Sequence, residues 1–162
     1  MMRFEPDLFD KLFSNAPDSP AVRTLSLEEL KNSVARNIES LLNTRMVFSE
    51  EKLAGFKECA KSILTYGLED FSGKSLASHE DRALICESIK RVIKRHEPRL
   101  KEATVQLEPR IQSISALHFS IKATLVVHPA CEPVSFEAQL QPSTRQYSVS
   151  RAGGRFPGAI DG

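Results

Sequence analysis

The chain has 162 residues, 41% of them hydrophobic and 27% charged, and a net charge of +1. That suffices for one compact domain and is not comfortable for two. The near-neutral balance gives no electrostatic reason to expect nucleic acid or an anionic membrane as partner, and no run of ~18 apolar residues is available to cross a bilayer.

The first residues, Met1-Met2-Arg3-Phe4-Glu5-Pro6-Asp7, turn acidic at once and carry no apolar h-region, so a cytosolic chain is expected rather than a secreted one. Residues 4–13 can form a short amphipathic turn with Leu8, Phe9, Leu12 and Phe13 on one side. Too short to hold a helix alone, it must dock on its own domain or on a partner. Residues 14–24 read as linker.

A first long helix starts at Ser26. With Glu29 it forms a capping-box pattern. Leu27, Leu30, Val34, Ile38, Leu41 and Leu42 then recur at steps of three and four, which predicts a helix to Leu42 or Asn43. A second helical stretch is expected over about 50–64, with Leu53, Phe56, Ala60, Ile63 and Leu64 on its core face and Gly67 as terminator. After a loop over 66–73, Ser78 and Asp81 cap a third helix that runs to about Arg95, its core face made of Leu84, Ile85, Ile89, Val92 and Ile93. Pro98 stops it.

Beyond residue 99 the period changes to two. Val105 and Leu107 mark a short strand. Leu117 to Val127 alternates as a long half-buried strand, and Val134 to Leu140 repeats the pattern after a turn at Pro129–Pro133. Tyr147 and Val149 mark a last strand. Helices first and strands afterwards predict an α+β fold, with the N-terminal helices on one face of a small antiparallel meander. The expected division is 1–25 as N-terminal segment and linker, 26–150 as the α+β domain, and 151–162 as an irregular, glycine-rich tail.

Chemistry is sparse. No G-x-G-x-x-G, P-loop, H-E-x-x-H or G-x-S-x-G motif occurs. Cys59, Cys86 and Cys131 are an odd number without a C-x-x-C pair, and read as buried, reduced thiols. His118 and His128 would share a polar strand face but lie about 33 Å apart on a continuous strand, too far to share a metal; no metal or cofactor is expected. Glu39, Glu69, Asp70 and Glu97 are the carboxylates a glycosidase would have to pair, which keeps a peptidoglycan hydrolase as the alternative reading. The basic run Lys90, Arg91, Lys94, Arg95, His96, Arg99 and Lys101 closes the third helix, where the macrodipole favours cations.

Three segments together carry a resemblance: Leu41-Leu42-Asn43-Thr44-Arg45, Tyr66-Gly67-Leu68-Glu69-Asp70-Phe71, and Glu97-Pro98-Arg99 directly before the strands. In this order and spacing they resemble the TssE-type baseplate proteins of bacterial type VI secretion, related to a tailed-phage baseplate wedge subunit long labelled lysozyme-like. Met46 stands where many relatives have a second arginine, and Glu69 where they often have proline. Glu108-Pro109-Arg110 repeats the tripeptide after a strand and is set aside. The resemblance implies a non-catalytic, cytoplasmic subunit of a baseplate docked at the inner membrane. It would bind the TssF and TssG wedge subunits, associate with TssK, and initiate the TssB/TssC sheath. Asn43, Thr44, Arg45, Tyr66, Gly67, Leu68, Glu97, Pro98 and Arg99 are the candidate partner-binding residues. Pro98 would stiffen a corner in which Glu97 and Arg99 either meet a partner or form an internal ion pair. The terminal strand, 144–150, would offer an unpaired edge to the sheath.

Overall fold

The protein is described by a computed structural model over residues 3–12, 24–71, 73–75, 78–108 and 116–152. Phe13, most of the expected linker, Pro109, Arg110 and residues 153–162 of the expected tail lie outside the described residues.

The capping box forms as the sequence dictates. The Ser26 hydroxyl accepts from the Glu29 N–H, the Glu29 carboxylate accepts from the Ser26 N–H, and helix α2 runs Leu27–Asn43. Its stripe of Leu30, Val34, Ile38, Leu41 and Leu42 is buried. Ser78 likewise caps α4, His79–His96, which buries Ile85, Ile89, Val92 and Ile93. Leu84, expected in that face, is exposed, and Ser88 is buried in its place. The helix is rotated slightly from the purely apolar stripe because it packs against both α2 and the first strand.

The strands β1 (Leu100–Glu108), β2 (Leu117–Val127), β3 (Ala130–Gln141) and β4 (Gln146–Arg151) form one antiparallel meander in the order β1-β2-β3-β4. Phe119, Ile121, Leu125, Phe136, Ala138, Tyr147 and Val149 join the helical stripes in one core. The α+β expectation holds. β1 is longer than its two apolar residues suggested, with a register shift between Lys101 and Thr104 and a positive φ of 54° at Glu102. β3 also begins earlier than expected. Pro133 lies inside it, opposite Thr124, rather than in the turn. The ladder with β4 ends at Phe136, so β3 is a sheet edge at Pro133, where a residue without an N–H is tolerated.

Two expectations fail in the middle of the chain. The stretch 50–64 is not one helix but a four-residue helix α3, Glu50–Leu53, followed by 3₁₀ turns at Cys59–Lys61 and Ile63–Thr65. Gly55 weakens a helix at its centre by about 1 kcal/mol, and no facing element rewards the period. Of the expected core face Leu53 is buried, whereas Phe56 and Ile63 are 64% and 82% exposed. The cysteines are free but not buried: Cys59 and Cys86 are half-buried and Cys131, near the β2–β3 turn, is exposed.

The N-terminal segment docks on its own domain. Phe4 enters the core and pairs with Leu25 through two backbone hydrogen bonds of 2.8 and 2.7 Å. The short helix α1, Leu8–Leu12, leaves Leu8 and Leu12 exposed and is held by polar atoms.

Candidate interaction surface

Glu97, at the C-terminal cap of α4, is buried, and Pro98 turns the chain from helix to β1. Arg99 returns to Glu97 as a two-bond fork, Nε to Oε1 at 2.6 Å and Nη2 to Oε2 at 2.7 Å. Planar pairing of this kind fixes orientation as well as energy. Behind it stands a clasp that the sequence did not reveal. Asp7 accepts from Asn37 at 2.7 Å, from Ser33 at 3.3 Å and from the Asp10 N–H at 2.7 Å, and lies 3.9 Å from Arg99. Asp10 accepts from Ser33 and from Arg36, both at 2.6 Å. Partial burial pushes the Asp7 carboxyl up, but these donors and the Arg99 charge outweigh it and hold it below its ordinary value. Burial works against the Arg99 cation, and Glu97, Asp7 and Asp10 more than restore it. The corner is therefore an ion-pair network inside the chain that ties α1, α2 and α4 together.

The other two motifs meet each other. Leu68 N–H donates to Thr44 O and Met46 N–H to Leu68 O, both at 2.9 Å, giving a parallel bridge between Arg45 and Leu68. This close approach explains Gly67. Its φ is 111°, and a Cβ there would stand 2.5 Å from Thr44 O. Tyr66 packs edge-on against His96, with ring centroids 5.3 Å apart, and His96 Nε2 donates to Thr65 O at 2.8 Å. Burial, the largest cause, pushes the imidazole below its ordinary pKa, with the nearby Arg95 charge acting in the same direction. Much of the expected basic run is likewise engaged: Lys90 with Glu87 at 3.3 Å, and Arg99 with Glu97.

Asn43 is more than a helix end. Its Nδ2 donates to Tyr147 O and its Oδ1 accepts from Tyr147 N–H, each at 2.8 Å, and Glu39 accepts from Val149 N–H at 2.7 Å. Tyr147 and Val149 are the β4 residues whose peptide groups point away from β3. The reading of 144–150 as an unpaired edge is thus overturned at these groups: α2 seals them. The opposite margin differs. There, among the described residues, α4 engages only the Leu107 N–H, through the Cys86 sulfur, and by alternation Val105 also turns its peptide groups outward. A groove of about 740 Å³ lies there between α4 and β1, lined by Arg82, Cys86, Lys90, Val105 and Leu107 among others.

The four candidate hydrolytic carboxylates do not assemble. Glu97 is taken by Arg99 and Glu39 by Val149, while Asp70 is exposed. Among the described residues no cluster of His, Cys, Asp or Glu could hold a metal ion, and no helix is long and apolar enough to cross a membrane.

A family model described as baseplate wedge protein gp25 matches residues 28–130. The match begins in α2 and ends at the first residue of β3, so it contains all three motif segments. No curated protein matches the chain.

Proposed function

The chain belongs to the baseplate wedge protein gp25 family, and from that premise we propose that it is a non-catalytic subunit of a type VI secretion baseplate, binding TssF and TssG and starting the TssB/TssC sheath in the cytoplasm. The observation that carries the reading is the family match across Asn43–Arg45, Tyr66–Leu68 and Glu97–Arg99. The arrangement is consistent with it: Glu97 and Asn43 spend their polar side-chain atoms inside the domain, on Arg99 and on Tyr147. Val47, Phe56 and Ile63 stay 77%, 64% and 82% exposed on one stretch of chain. Exposed apolar surface concentrated in this way suits burial by wedge subunits. Strand addition by the sheath belongs at β1 rather than β4. The Thr104–Glu108 segment, downstream of the bulge, borders the α4 groove; the Leu107 N–H is engaged by Cys86, and the outward peptide groups of Val105 are the ones an extended strand would meet there.

The test is co-expression with TssF and TssG homologues, followed by size-exclusion chromatography. A stable co-eluting complex is expected, weakened by Phe56→Ser with Ile63→Ser while the melting temperature is unchanged. A folded wild-type chain that elutes apart from TssF and TssG overturns the reading.

A further inference from the structure

A second pocket, of about 140 Å³, opens between the Tyr66–Phe71 loop and the β3–β4 turn. Its floor is apolar, made by Phe71, Ile85, Leu140 and Tyr147, and its rim carries Arg45, Lys74 and Arg145. The volume falls below the ~300–1,000 Å³ of small-molecule sites and suits a single side chain. Lys74 leans on Asp81 at 3.6 Å. Arg45 reaches only a backbone carbonyl, that of Glu69 at 3.3 Å, and among the described residues no carboxylate pairs with Arg45 or Arg145. Arg145 stands at φ 57°, a left-handed conformation. Glycine adopts that region more readily than a residue with a side chain. The β3–β4 turn, closed by the Arg145 N–H on Gln141 O at 2.8 Å, sets this conformation and places Arg145 at the pocket.

We propose that this pocket is a socket for an acidic side chain, glutamate or aspartate, presented by an extended segment of a neighbouring protein. The methylenes of the side chain rest on Leu140 and Tyr147, and its carboxylate takes guanidinium donors from Arg45 and Arg145. This gives the Asn43-Thr44-Arg45 and Tyr66–Phe71 motifs a joint role beyond their mutual bridge: one supplies a cation, the other a wall. The identity of the neighbour rests on the baseplate reading; the chemistry of the socket does not.

The experiment therefore uses peptides and the full chain. Acetyl-Gly-Glu-Gly-amide is titrated against the ¹⁵N-labelled protein, with the glutamine peptide, acetyl-Gly-Gly with a free C-terminal carboxylate, and inorganic phosphate as comparisons. The glutamate peptide is expected to shift the amides of Phe71, Leu140, Arg145 and Tyr147 saturably. The glutamine peptide should bind at least tenfold more weakly. Arg145→Glu and Arg45→Glu, each with an unchanged melting temperature, should abolish the shifts, and Arg145→Lys should retain part of them. Absence of shifts at these residues overturns the proposal. So does equal binding of the glutamine peptide, or phosphate or the free C-terminus binding as tightly as the glutamate side chain.

Discussion

Asn43 holds Tyr147 by both of its outward backbone atoms, donating to the carbonyl and accepting from the N–H at 2.8 Å each. A carboxamide offers a donor and an acceptor side by side, as a neighbouring strand would. Together with Glu39 on Val149 it ends the sheet at β4.

Replacing both residues, Glu39→Ala with Asn43→Ala, removes three hydrogen bonds and exposes that margin. The expected loss is about 2 kcal/mol, with a new concentration-dependent dimer as bare edges pair. Urea denaturation and analytical ultracentrifugation check the two effects. Glu39→Gln keeps an acceptor and should stay monomeric.

Gly67→Ala forces a side chain into φ 111° and into the Thr44 carbonyl. A destabilisation of about 3 kcal/mol is expected, read by denaturant midpoint. Relief would require breaking the Arg45–Leu68 bridge, so amide exchange at Met46 and Leu68 should quicken in the same variant.

Arg99→Ala leaves the buried Glu97 carboxylate without its fork and should cost about 3 kcal/mol, in the range for breaking a buried ion pair. Adding Glu97→Gln to Arg99→Ala should recover part of that loss, because the orphaned charge goes with it. A double-mutant cycle by thermal denaturation measures the difference.

The Asp7 clasp sets an acid limit. Its folded pKa lies below the unfolded value, so its contribution is present in full above the ordinary carboxylate range and is lost as pH falls through the folded value. Asp7→Asn should therefore destabilise at pH 7, and by less at an acid pH below the ordinary carboxylate range, as the wild-type contribution is lost. Stability measured at the two pH values, with proteolysis of residues 3–12 as a second readout, checks this.

Strong periodicity made α2, α4 and β2 legible in the sequence, and local cap chemistry fixed where both helices begin. The stretch 50–64 misled because its apolar spacing mimics a helix while Gly55 and the want of a facing surface decide otherwise. The motif residues could be read as residues, but their meeting could not. Asn43 and Tyr147 are 104 positions apart, and nothing local marks a side chain that will serve a distant strand. In the sequence Asp7 is only part of an acidic start, and nothing local marks Asp10 as a partner of Ser33 and Arg36. Arg145 carries no local signal for its left-handed conformation, which is set by the β3–β4 connection.

The unequal margins of the sheet have a geometric consequence. α2 takes the outward groups of Tyr147 and the Val149 N–H on β4, whereas β1 borders a cleft with α4. Under the proposed sheath role, growth from that cleft alone would give the polymer a single heading.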